Sequence, residues 1–299
     1  MPPGTLFVVA TPLGNLDDIT PRALDALRRA AIVACEDTRR TQGLLTRFGI
    51  RPGRLLSCHK FNERARLEPI LSVLREGRDV ALVSDGGSPG LSDPGAPLVA
   101  AALEAGVPVS PIPGPSAVAA AISVCGFPCA SFHFAGFLPA RAGPRRRAIV
   151  ALRPIAVPVV LFESPHRVGA VVADLLNILG NRPVTLLREM TKMHEEVRRA
   201  SLADLAASLA AQPARGEFTL VIRGYEEGDL AADDADARKV APPGPAELRE
   251  RYARLLASGV ERREALKTLV RETGMQRREV YRAVRPTAGQ ALADSSEDS

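Results

Sequence analysis

A chain of 299 residues, 46% hydrophobic and 24% charged, is long enough for two domains and a small third unit, and its composition excludes a fibrous or wholly disordered protein. It contains no apolar run of about 18 residues to span a bilayer, and its start lacks the basic and apolar regions of a signal peptide, so a cytoplasmic protein without a membrane partner is expected. The formal net charge of +5 rests mainly on arginine, which suits contacts to nucleic-acid phosphates, whereas the four cysteines Cys35, Cys58, Cys125 and Cys129 form neither a disulfide framework nor a metal-ligand spacing, so no metal is expected.

The first half alternates strands and helices. An apolar strand at residues 6–10 runs into T-P-L-G-N-L, and Thr20 followed by Pro21 opens a helix whose Ala23, Leu24, Leu27 and Ala31 face a core. A strand at 32–34 delivers Cys35-Glu36-Asp37-Thr38-Arg39-Arg40, which reads either as a solvated helix start with local ion pairs or as a polar group facing a cleft. A strand at 55–58 follows, then the polar loop His59-Lys60-Phe61-Asn62-Glu63-Arg64. His59 reads first as a hydrogen-bonded structural residue, and the Lys-Phe-Asn cluster as a group able to stack on a base or touch a phosphate. A helix at 68–76, a buried strand at 80–83, a helix at 96–105 and a strand at 107–112 complete a βαβ alternation, hence a mainly parallel sheet. The last strand empties into P-G-P-S-A, where Ser116 caps a helix of small residues.

The central strand ends in S-D-G-G-S-P-G-L-S-D-P-G (residues 84–95), and ligands of open α/β sheets bind at such strand ends. A phosphate-cradling P-loop is excluded because none of Lys60, Lys192, Lys239 and Lys267 follows a glycine. The G-x-S-x-G spacing around Ser88 imitates a hydrolase nucleophile elbow, but the oxyanion donor there would be the N–H of Pro89, which has none. The dinucleotide fingerprint G-x-G-x-x-G is missing as well.

A second domain is expected from Phe127. Residues 132–139 gather aromatics in a chain with only 4% of them, and the basic loop holding Arg141, Arg145, Arg146 and Arg147 follows, a solvated helix start or an RNA-backbone contact. A strand at 157–162 exposes Glu163-Ser164-Pro165-His166-Arg167, dense in polar groups for a strand end. A helix at 168–179, strands at 183–187 and 216–223, and the run R-E-M-T-K at 188–192 lie beyond it. Residues 226–245 read as an acidic and Pro-rich linker. Three amphipathic helices at 246–258, 261–272 and 276–284 have helix-turn-helix-like spacing and an excess of arginine over glutamate, so Arg277, Arg278 and Arg282 are candidate RNA contacts in a docking module that could equally serve a dimer. Residues 286–299 read as a disordered tail.

The runs T-P-L-G-N-L-D-D-I-T-P-R-A (11–23), C-E-D-T-R-R-T (35–41), S-D-G-G-S-P-G-L-S-D-P-G (84–95), P-G-P-S-A (113–117), E-S-P-H-R (163–167), R-E-M-T-K (188–192) and G-E-F-T-L-V-I (216–222) occur in order. Together they resemble the tetrapyrrole methylase family, and within it the bacterial branch that 2′-O-methylates a cytidine of 16S ribosomal RNA. The resemblance implies an α/β fold of two domains, residues 1–126 and 127–225, with S-adenosylmethionine in the cleft between them, a C-terminal helical module at 246–285, and a homodimer. It places the cofactor against Pro12, Leu13 and Gly14, against Ser84, Asp85, Gly86, Gly87, Ser88 and Pro89, and against Pro113, Gly114 and Ser116. Met190, Gly216, Glu217 and Phe218 would hold the adenosine end, and Arg39 would face the cleft with Glu36 and Asp37 as a candidate RNA contact. A ribose 2′-hydroxyl is a weak nucleophile and needs a base or orienting acceptor, for which Glu163, His166 and Asp37 are the candidates. The implied partner is 16S ribosomal RNA or the small ribosomal subunit. The alternatives are a methyltransferase acting on a porphyrin-like small molecule and a DNA-binding regulator with a ligand-sensing α/β portion.

Overall fold

The computed structural model describes residues 2–212, 214–226, 245–273, 275 and 277–284; the expected linker, apart from its two ends, and the expected tail lie outside the described residues. Its first sheet is built from β1 (Leu6–Val9), β2 (Ile32–Cys35), β3 (Leu55–Ser57), β4 (Val80–Val83) and β5 (Val109–Ile112), all parallel, in the order β3-β2-β4-β1-β5. Helices α1 (Pro21–Arg29), α2 (Thr38–Arg47), α3 (Glu63–Arg75), α4 (Ala96–Glu104) and α5 (Ala117–Val124) fill the connections. The two-residue alternation of a strand decides which face each side chain covers. Leu6, Ile32, Ala34, Val80 and Leu82 enter one core with α3 and α4, while Phe7, Val9, Val33, Cys35, Ala81 and Val83 enter the opposite core with α1. Every residue of β2 and β4 is buried, as a parallel sheet covered on both faces requires.

Caps set the helix starts. The Thr20 side chain accepts from Ala23 N–H with Pro21 in the first turn, and the Ser116 hydroxyl accepts from Ala119 N–H. Helix α3 starts five residues earlier than the expected 68, with Pro69 inside it. The Glu63 carboxylate in its first turn accepts from Gly95 N–H at 3.2 Å, a distant contact that local sequence does not announce.

The second sheet holds β6 (His133–Phe137), β7 (Val159–Glu163), β8 (Pro183–Arg188), β9 (Glu196–Ser201) and β10 (Phe218–Ile222) in the order β6-β7-β10-β8-β9, antiparallel except for β6 with β7. One face is covered by α6 (Ala142–Leu152), α7 (Val168–Leu179) and α8 (Leu202–Ala211). Its other face, through Val160, Leu187 and Val221, packs on Ala121 of α5, on Cys125 just beyond it and on Phe127, which fixes the second sheet to the first unit. Three helices, α9 (Pro245–Ala257), α10 (Arg262–Thr273) and α11 (Arg277–Val284), bury Leu248, Ala265, Leu269 and Val280. Arg147 of α6 donates to Thr273 O at 3.4 Å, tying this unit to the second sheet's helices.

One expectation for the basic loop is corrected here. Arg145 is buried, and its Nε donates to Asp174 Oδ2 at 2.8 Å, while Arg146 Nε donates to Asp174 Oδ1 at 2.8 Å. Arg145 is therefore a core residue joining α6 to α7 and is closed to RNA, because a buried carboxylate at Asp174 needs a buried cation beside it. Asp174→Ala, which strands that guanidinium, is expected to lower stability by about 3–5 kcal/mol in urea denaturation. Combining it with Arg145→Met is expected to restore much of the loss.

Candidate active site

The loops leaving β1 and β4 are stitched together. Thr11 N–H donates to Gly87 O at 2.9 Å and Gly87 N–H returns to Thr11 O at 2.8 Å. The Thr11 hydroxyl donates to Ser84 O at 3.1 Å and the Ser84 hydroxyl to Gly87 O at 3.2 Å. Gly87 holds φ +86, a left-handed conformation that a side chain resists, and a Cβ on Gly86 would lie 3.2 Å from Pro12 O. The sequence packs the two loops this closely because β1 and β4 are neighbours in register, Val9 opposite Val83.

Above this stitch a cavity of about 750 Å³ opens between the two sheets. The first unit lines it with Leu13, Asp85, Gly86, Gly87, Ser88 and Ser116, and the second with Glu163, Met190, Glu217 and Phe218. A smaller cavity of about 250 Å³ adjoins it, lined by Pro12, Gly14 and Ser84 with Thr41 and Leu44, and it shares Leu13, Arg40 and Asp85 with the first. Pro89, Pro113, Gly114 and Gly216 line neither. His166 is exposed and also lines neither, and Asp37 is turned to cap α2, its Oδ1 accepting from Arg39 N–H at 2.8 Å while its carboxylate pairs with the Arg39 guanidinium at 3.1 Å. Sequence reasoning passed over Arg40, Asp93, Phe137, Phe162 and Lys192, all of which line the larger cavity. Asp93 lies inside the 84–95 run and was legible there as a second acid; the others reach the cavity only through the apposition of loops distant in sequence.

The charges divide by position. Glu163, the last residue of β7, has a side chain only 1% exposed; Oε1 accepts from Ser164 N–H at 2.8 Å, whereas Oε2, 3.2 Å from Arg167 Nη2, has no aligned hydrogen-bond partner. Asp85 accepts from Asp37 N–H at 3.1 Å and pairs with Arg40 at 3.3 Å. Burial, aided by the Glu36 charge, pushes the Asp93 carboxyl up to about 6, and burial with the Asp85 charge raises Glu36. On the far wall, Lys192 Nζ donates to Glu189 Oε1 and Glu217 Oε2, each at 3.0 Å, which outweighs partial burial and raises the ammonium's pKa. The Glu217 N–H and Lys192 hold the Glu189 carboxyl low. This turn carries two non-glycine residues at positive φ, Glu189 (+50) and Thr191 (+65), and it latches onto the first unit where Asn15 N–H donates to Thr191 Oγ1 at 3.1 Å. Among the described residues no group of three or more His, Cys, Asp or Glu side chains is placed to hold a metal ion, and no helix is long and apolar enough to cross a membrane.

Residues 5–206 match the family Tetrapyrrole (Corrin/Porphyrin) Methylases. A ribosomal RNA small subunit methyltransferase I from Micromonospora olivasterospora is 46% identical over 284 residues, 94% of this chain and 87% of the relative. A protein of the same name from Halalkalibacterium halodurans is 39% identical over 285 residues, 93% of each. Another from Thermotoga maritima is 44% identical and is matched over its whole length by 75% of this chain. Among solved structures, a uroporphyrin-III C-methyltransferase from Thermus thermophilus complexed with S-adenosylhomocysteine shares the fold at a TM-score of 0.53 and 20% identity, covering 77% of this chain and all of that one.

Because the folded Asp93 carboxyl titrates near 6 and an unfolded one near 3.9, the native state holds this proton more tightly, and stability falls as pH rises through about 6. Asp93→Asn is expected to raise the melting temperature relative to the parent at pH 7.5, with the difference vanishing by about pH 4. Thermal melts across that range check it; a constant difference at every pH would contradict the assignment.

Proposed function

We propose, from the premise that the chain belongs to the tetrapyrrole methylase family and to its ribosomal RNA small subunit methyltransferase I group, that it is an S-adenosylmethionine-dependent enzyme that 2′-O-methylates a cytidine of 16S ribosomal RNA. The cavity suits that cofactor in size, since ligand sites of this kind run about 300–1,000 Å³. It suits it in charge as well. Asp85, Asp93, Glu163 and Glu217 line it with carboxylates, acceptors for a ligand carrying a sulfonium and an ammonium, and Arg40 and Lys192, paired in the free protein with Asp85 and with Glu189 and Glu217, are the lining cations its carboxylate would recruit. Leu13, Gly86, Gly87, Ser88 and Ser116 would hold it through the stitched loops, and Met190 and Phe218 would take its apolar adenosine face. When bound, this cofactor supplies an electrophilic methyl group.

The chain's own residues position the acceptor and receive its proton. The observation that carries the reading is Glu163: a buried carboxylate on the cavity wall, held between Ser164 N–H at 2.8 Å and the Arg167 guanidinium at 3.2 Å, whose side chain would turn an oxygen to a 2′-hydroxyl when the acceptor binds. It orients that hydroxyl and accepts its proton as the new C–O bond forms. Closure of the cleft by the Glu189–Lys192 turn helps exclude water that would compete for the site. Of the other two candidate bases, His166 stands outside the cavity and Asp37 caps α2. Exposed Arg141 and Arg146, and Arg277, Arg278 and Arg282 on α11, are assigned to RNA phosphates, Arg39 to the cleft's rim, and Arg147 to holding the C-terminal helices in place. The protein would act in the cytoplasm as a homodimer. A tetrapyrrole acceptor and a DNA-binding regulator are not favoured beside relatives named for ribosomal RNA.

Transfer of labelled methyl to small ribosomal subunits lacking their native methylation tests this. The parent chain is expected to place label on a ribose 2′-oxygen, and Gly86→Val to abolish cofactor binding. Glu163→Gln is expected to lower kcat by about 10²- to 10⁴-fold with cofactor affinity retained. A chain ending at Gly224 should keep cofactor binding, as a relative matched whole by three-quarters of this chain suggests, and lose affinity for subunits. Cofactor binding without label on subunits or free RNA would overturn the RNA reading.

A further inference from the structure

Phe61 is 93% exposed in a chain with few aromatics. A single exposed apolar side chain is unremarked on most surfaces. What distinguishes this one is how it is mounted. His59 N–H donates to Asn62 Oδ1 at 2.7 Å, Asn62 Nδ2 to Ser57 O at 3.2 Å, and Phe61 N–H to His59 Nδ1 at 3.2 Å, so the loop is held from both sides of the phenylalanine. The His59 and Phe61 rings meet edge to face, 6.1 Å between centroids and 66° between planes, and the high exposure of Phe61 leaves its ring open to solvent.

The loop also has a defined place relative to the cavity. It leaves the carboxyl end of β3, the edge strand beside β2, and therefore opens on the same side of the sheet as the loops of β1 and β4. Glu63, two residues on, accepts from Gly95 N–H at 3.2 Å and so braces the platform against the loop that carries Asp93. Phe61 lines neither cavity, so it stands beside the acceptor's position rather than in it. It is flanked by Lys60 and Arg64, both exposed, and neither is in an ion pair with any described residue. An open aromatic face between two uncompensated cations is the combination that binds single-stranded nucleic acid, the base on the ring and the backbone on the charges.

We infer that Phe61, with Lys60 and Arg64, is a stacking platform for an unpaired nucleobase of the ribosomal RNA next to the target nucleotide. The inference rests on the proposed RNA substrate. By holding a neighbouring base it fixes the strand's register over the cavity, contributing to binding and not to the transfer step.

The test compares Phe61→Ala, Phe61→Leu and Phe61→Trp in the full chain, by methyl transfer to unmethylated small subunits and by binding of a fluorescein-labelled single-stranded RNA spanning the target cytidine. Alanine and leucine are expected to raise KM and the RNA Kd about 5- to 100-fold, with kcat, cofactor Kd and melting temperature unchanged, whereas tryptophan keeps parental values. Alanine at parental KM, or leucine rescuing as well as tryptophan, overturns the platform. If the parent chain itself fails to methylate subunits, the substrate reading is what fails, and the two failures are read separately.

Discussion

Two reciprocal backbone hydrogen bonds between Thr11 and Gly87 hold the active end of this molecule together. Neighbouring parallel strands end side by side, but nothing in a parallel ladder obliges the loops beyond them to pair. Here the ladder is in effect continued for one antiparallel step, because Gly87 turns back at φ +86, the Ser84 hydroxyl adds a second bond to Gly87 O, and the Thr11 hydroxyl donates to Ser84 O. Thr11 and Ser84 are almost fully buried, so these bonds are sheltered from water and an orphaned partner would be costly. The consequence is a rigid floor that offers backbone, not long side chains, to whatever lies above it.

The opposite wall is set by a different kind of contact. Helix α5 follows β5, the edge strand of the first sheet, and gives Ala121, with Cys125 just past its end, to the core of the second sheet. The second sheet can therefore be antiparallel while still being anchored at a fixed distance from the first. Its Glu189–Lys192 turn then reaches back. Non-glycine residues at positive φ cost on the order of 1 kcal/mol or more each, and the Glu189 carboxylate offsets this by accepting from both Glu217 N–H and Lys192. Strain at a turn that touches Asn15 across the cleft places the least relaxed backbone of this wall where the two halves meet.

Much of this was legible in the sequence, for identifiable reasons. The strands β1, β2 and β4 are short apolar runs ending in Gly, Pro or Asp, and the caps Thr20 and Ser116 stand where their helices begin. Strand β9 was not legible: E-V-R-R-A-S is half charged and lies at a sheet edge, where charged side chains discourage further pairing, so its composition reads as loop. Arginine in the 141–147 run was misleading in the same way. Arg145 and Arg146 look alike in sequence and both pair with Asp174 on α7; only Arg145 is buried, so the helix packing, which the run does not encode, separates the core cation from the exposed one. Lys192 and Phe162 were invisible as cavity residues because their proximity to Leu13 and Asp85 is created by the two sheets facing each other, not by any local pattern.

The same division explains why the carboxylates are informative. A cleft that served only as a domain junction would be cheapest if its wall were apolar or its acids fully paired. Asp85, Glu163 and Glu217 are paired with Arg40, Arg167 and Lys192, but partial burial and the Glu36 charge push Asp93 up to about 6, and Glu36 is raised beside it. The Asp93–Glu36 pair is a penalty on the empty fold at neutral pH, because like charges have been brought together and partly removed from water. Such a penalty is relieved by a positively charged ligand. On the proposed reading this is the methyl-donating cofactor, so the feature that destabilises the free protein is one that selects its cofactor.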